Sequence, residues 1–260
     1  ARVHLAIAFY NLVVNKILSP CPSFKTLGLA LSASFIFGSF TLPSAAAIEY
    51  TDIQRETVVE LVEQLEERHY SKQAYTDELS SQHLDAYIDS LDGSKMFLTA
   101  ADIKEFQQYR TVMDDQLPEG NLDAGFAIFN RFQERLRTRL ESINENLPEI
   151  IAAMDFTVDE YYELDTDDRD WATAQPELDE RWRKHLKNQV LSLRLAEKSA
   201  EEIPETLNRR YTNQLKRVEQ YNHQDVFQIY ANALTELYDP HTNYFSPRRS
   251  ENFNINMSLS

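Results

Sequence analysis

Glycine is almost missing from this chain. Five glycines serve 260 residues, whereas an ordinary protein devotes about 7% of its positions to glycine. Gly28 and Gly38 lie in an apolar N-terminal stretch, which leaves Gly93, Gly120 and Gly125 for the rest of the chain. Dinucleotide and P-loop sites need several glycines at fixed spacing, so that backbone can approach phosphate. That spacing does not occur. All-β architectures are disfavoured on the same ground, because their tight turns draw on glycine.

Helical periodicity fills the space that remains. Ile53, Val58, Leu61, Val62 and Leu65 form one apolar stripe, and Leu84, Tyr87, Ile88 and Leu91 a second that closes at Asp92-Gly93. Thr99 offers an N-cap, with Asp102 three residues on, for a helix that faces Ile103, Phe106 and Met113 inward. Pro118 to Asn121 should break it. The longest stripe runs Leu122, Phe126, Phe129, Phe132, Leu136, Leu140, Ile143 and Leu147, with Pro148 as the expected stop. Residues 155–176 lose the pattern and read as an acidic loop. Helical spacing returns with Leu178, Trp182, Leu186, Val190 and Leu193. Ser199 and Glu202 make a capping box ahead of Leu207, Tyr211, Leu215 and Val218. A last helix carries Val226, Phe227, Tyr230, Leu234 and Leu237, and Asp239-Pro240 stops it. The expected fold is all-α, with about six to seven amphipathic helices between residues 48 and 238.

Charge separates the two ends of the chain. There are 26 basic and 42 acidic residues, net −16, and every acidic residue lies at Glu49 or beyond. So negative a surface repels a phosphate backbone, which argues against nucleic acid as a partner. Residues 26–42 carry no charge, follow Lys25, and lead into Pro43-Ser44 and Ala45-Ala46-Ala47. A basic flank, an apolar core and small residues before a cut after Ala47 form the layout of a secretory signal, here residues 25–47. Residues 1–24 precede it, read as an upstream extension, and suggest no function. A retained membrane anchor over 26–42 is the weaker reading. The one cysteine, Cys21, rules out an internal disulfide and any Cys-based zinc site.

Motifs for chemistry are scarce. The acidic run Asp165, Asp167, Asp168 and Asp170 lacks the glycine and glutamate that an EF-hand loop would need, since Asp170 and Pro176 stand there. His69, His83, His185, His223 and His241 show no zinc-ligand spacing. No Ser-x-x-Lys or G-x-S-x-G occurs. Neither a catalytic residue, a cofactor site nor a metal site is expected.

The C-terminal segment differs in kind. Asp239-Pro240-His241-Thr242-Asn243-Tyr244-Phe245-Ser246-Pro247, followed by Asn252-Phe253 and Met257-Ser258-Leu259-Ser260, closely resembles a stretch of the bacterial tail-specific proteases, the C-terminal processing peptidase family. Met154 to Thr157, Glu205 to Leu207 with Arg209 to Tyr211, and Asp225 to Phe227 are similar to that family in the same order. The resemblance implies a helical N-terminal domain of a periplasmic serine endopeptidase, ahead of a PDZ domain and a Ser-Lys catalytic core that this sequence does not contain. It implies protein substrates with exposed C-terminal tails, a periplasmic adaptor and no cofactor. Residues 239–260 would be the linker toward the PDZ domain, with Asp239 capping a turn and Tyr244 and Phe245 anchoring it in apolar surface. A stand-alone secreted helical binding module is the alternative.

Overall fold

The computed structural model describes residues 47–166 and 168–246. The extension, the apolar core of the signal, and Pro247 with the rest of the linker lie outside them. Eight α-helices run through the described residues, with one isolated parallel bridge between Thr99 and Ala172 and no strand. The fold is all-α.

Helix α1 (Asp52–Glu63) starts at Thr51, whose hydroxyl accepts from the Gln54 amide while Gln54 Oε1 accepts from the Thr51 amide. This reciprocal box satisfies two donors that a helix start leaves open. Gln54 also donates to the His223 carbonyl at 2.7 Å and is buried. Ile53, expected in the inward stripe, is 75% exposed, because Gln54 takes the inward position. A π-turn over Gln64–Arg68 prolongs α1.

Helix α2 (Asp77–Asp92) is followed by a tight crossing. Asp92, buried, accepts the amides of Met96 and Phe97 at 2.9 Å and of Leu98 at 2.8 Å. Burial pushes its carboxyl up, and these N–H groups pull it back. The expected single helix from Thr99 to Met113 is instead α3 (Ala100–Phe106), a 3₁₀ turn and α4 (Met113–Gln116). Contacts to α2 break it: Arg110 grips the Ser81 hydroxyl at 2.6 Å and Asp85, and the Met113 amide donates to Ser80 Oγ.

Helix α5 (Asp123–Ala152) is the central element, with Phe129, Leu140, Ile143 and Leu147 buried along one stripe. It does not stop at Pro148. The ring faces solvent, and Leu147 together with Ile150 and Ile151 holds the last turn on the core, which offsets the amide hydrogen bond that proline cannot make. Near its start, Asn130 clasps the first described residues. Its Oδ1 accepts from the Ile48 amide at 2.9 Å, and its Nδ2 donates to the Ile48 carbonyl at 3.0 Å. Farther on, Arg131 and Arg135 both reach Asp102 at 2.9 Å. Burial would raise that carboxyl, but the guanidinium of Arg135, the Thr99 cap and Arg131 hold it down at about 2.

Helices α6 (Gln175–Leu195), α7 (Glu202–Glu219) and α8 (His223–Tyr238) complete the bundle. The Ser199–Glu202 box forms as expected, at 3.2 and 3.0 Å. Helix α7 packs along α5, and α8 along α2.

The deepest point joins α2, α5 and α8. His83 is fully buried and stacks on Tyr230 with ring centres 4.6 Å apart. The Tyr230 carbonyl can only accept, so His83 Nε2 carries the proton and donates to it at 3.0 Å. His83 Nδ1 then accepts from the Tyr75 hydroxyl at 2.9 Å. Burial pulls the imidazole down to about 4, so it is neutral at pH 7. Gly125 is needed here for close approach, since a Cβ would lie 2.7 Å from the Tyr230 ring.

Candidate functional site

The segment that carries the family resemblance leaves α8 and doubles back along it. Asp239 caps its own turn: Oδ1 accepts the His241 amide at 2.6 Å, and its carbonyl accepts the Thr242 amide at 2.9 Å. Its other carboxylate oxygen accepts from the Tyr70 hydroxyl at 2.6 Å. The Tyr70 hydroxyl and the His241 amide together hold the Asp239 carboxyl below the usual range, and the same bond pushes the Tyr70 phenol up.

His69 makes the second tie. Its Nε2 lies 3.2 Å from the Thr242 hydroxyl and its Nδ1 2.8 Å from the Ser71 hydroxyl, while its ring meets Tyr238 edge-on. The π-turn and loop after α1 thus grip the end of α8 across 169 residues of sequence. Tyr244 makes the third tie. Its amide donates to Asn232 Oδ1 at 2.7 Å, and its ring packs edge-on against Phe227.

The other residues of the segment are less engaged. The His241 imidazole, 94% exposed, sits 3.1 Å from Asp239 Oδ1 and is too open to be worth much as an ion pair. Pro240 and Asn243 face solvent. Phe245, expected to share an apolar anchor with Tyr244, is 44% exposed, and Ser246 is buried. Pro247 lies outside the described residues.

The sequence offers no sign of His69, Tyr70 or Asn232 as partners of this segment. Each belongs to an element whose only visible pattern is its apolar stripe, and the pairing depends on how α1 and α8 meet.

Among the described residues no group of three or more His, Cys, Asp or Glu could hold a metal ion. His83 is spent on Tyr75 and Tyr230, and His185 on Tyr162 and Gln189. The arrangement fixes a chain crossing.

A family model described as the tail specific protease N-terminal domain matches residues 61–248, from the end of α1 through the doubled-back segment. The chain belongs to the tail-specific protease N-terminal domain family. It is 29% identical over 251 residues to the tail-specific protease of Haemophilus influenzae, a match covering 96% of this chain and 35% of that relative. The chain therefore spans about a third of that relative's length. As a tail-specific protease N-terminal domain it is non-catalytic and protease-associated. No helix among the described residues is long and apolar enough to cross a membrane.

Proposed function

We propose that this chain is the exported N-terminal part of a periplasmic serine endopeptidase that degrades or processes proteins from their C-terminal tails. The helical domain helps to enclose the substrate and offers surface to an adaptor. The residues of the nucleophile and base belong to the two-thirds of such a protein that lie beyond this domain, behind a PDZ domain. Residues 25–47 act as the export signal, cut after Ala47, and 239–260 lead toward the PDZ domain. No cofactor takes part.

The observation that carries this reading is the family match, which runs through the doubled-back segment to residue 248. A crossing tied at Asp239, Thr242 and Tyr244 suits a domain whose task is to aim the next domain of the chain. Reading the coding sequence past Ser260 tests the proposal. An in-frame PDZ domain, then a serine and a downstream lysine on a glycine-rich core, is the expected result; a stop codon directly after Ser260 overturns it. The 260-residue chain incubated with a denatured protein should release no fragments, and cleavage that tracks with the purified chain would also count against it.

A further inference from the structure

The loop between α5 and α6 is fastened on its underside and apolar on its outside. Beneath it, Glu160 is paired with Arg183 and Lys187 of α6. The Tyr162 hydroxyl lies 2.7 Å from His185 Nδ1, and the Phe156 ring lies 4.0 Å under the Arg194 guanidinium. Arg169 donates to the carbonyls of Glu163 and Ser94, and Ala172 accepts from the Ala100 amide. These ties order the backbone, so its outward side chains are displayed rather than frayed.

The side chains on display are out of place for stability alone. Tyr161 is 86% exposed, Leu164 80% and Val158 53%. Three large apolar groups within seven residues, turned to water on a held loop, mark a contact surface. Val158, Phe156 and Leu191 of α6 also line a hollow of about 170 Å³.

Charge says what would cover it. Asp155, Asp159, Asp168 and Asp170 are exposed along the same loop. Most of the nearby cations have anionic partners: Arg181 with Glu177, Arg183 and Lys187 with Glu160, Lys184 with Glu180, and Arg169 with Glu163, while Arg194 lies over the Phe156 ring and Lys95 over the Trp171 ring. The outward surplus is negative around an apolar centre.

We infer that residues 158–164 are a docking surface for a protein partner whose own apolar pocket is rimmed by lysine or arginine. Apolar burial supplies the affinity, and the complementary rim supplies orientation and rate. This inference is independent of whether a protease core follows the chain.

The probes are two synthetic peptides of equal positive charge, one alternating lysine with leucine and one alternating lysine with serine. Both are titrated against the full 260-residue chain at physiological salt. The chain should bind the lysine-leucine peptide more tightly, and Tyr161→Ala/Leu164→Ala should weaken that binding about tenfold while leaving the lysine-serine peptide unaffected. Neither side chain is buried, so circular dichroism should show an unchanged fold. Ile53→Ala, equally exposed but on α1, should change nothing. Equal binding of the two peptides by the parent, equal binding by the double variant, or an equal loss in Ile53→Ala would overturn the inference.

Discussion

The junction of α2, α5 and α8 and the loop laid over α6 both rest on polar contacts, yet they hold by different physics. At the junction His83, Tyr75 and Tyr230 are neutral, buried and fully satisfied, and they sit among close-packed rings. Over α6 the ties are charged and lie at the edge of the packed layer, with Lys187 buried and Arg183 open to water: Glu160 with Arg183 and Lys187, Arg169 with Glu163. Burial makes the first set costly to disturb and indifferent to salt. The second set is charged and only partly covered, so it is the more sensitive of the two to screening. The same domain therefore contains a rigid frame and a surface that can be released without melting it.

The sharpest way to break this contrast is at His83. His83→Ala leaves a cavity and takes from the buried Tyr75 hydroxyl its acceptor, so it should cost about 3 kcal/mol in urea unfolding. The same residue sets a pH signature. The unfolded imidazole takes a proton near 6.5 and the folded one only near 4, so between those values the unfolded state binds more protons. Stability should fall as pH drops from 6.5 toward 4 and level off below that. In His83→Gln this slope should shrink to the smaller part that His185 contributes, because burial pulls its imidazole down as well, and the later acid loss from depressed carboxyls such as Asp102, held at about 2, should remain.

Gly125→Ala comes next. The added Cβ cannot fit against the Tyr230 ring, and the strain should outweigh alanine's better helix propensity, for a net loss of about 2 kcal/mol by thermal or urea unfolding. A stabilised variant would mean that the junction is looser than its geometry.

The smallest effect belongs to the loop. Glu160→Gln keeps an acceptor for Arg183 and Lys187 but removes the counter-charge of the buried Lys187, so it should lower the unfolding midpoint only slightly and speed amide exchange of residues 157–164 several-fold. Raised salt should produce the same loosening in the parent chain. An equal speeding at the α2–α8 junction would erase the distinction between the two regions.

Much of the frame is legible in the sequence because a helix states its inward face every three or four residues. Trp182, Leu186 and Val190, or Phe129 and Leu140, are buried where that period puts them. Capping chemistry is as readable at Thr99 and Ser199, since a cap and its partner are three residues apart. Local patterns mislead where distant groups overrule them. Gln54 displaces Ile53 because it reaches His223, the helix after Thr99 is cut by Arg110 gripping α2, and α5 crosses Pro148 because its end is packed. The candidate site shows the same divide. Its own residues are visible as a contiguous stretch, whereas Tyr70, His69 and Asn232 enter it from elsewhere in the chain.

The Asn130 clasp on Ile48 has a mechanical meaning. At the other end, the Tyr244 amide is tied to Asn232 part-way along α8, so both ends of the described chain are fastened to the flanks of packed helices. Tension arriving from either side enters through α5 and α8, which pack on each other. The load falls first on the middle of the bundle, and the outlying α6 layer is spared.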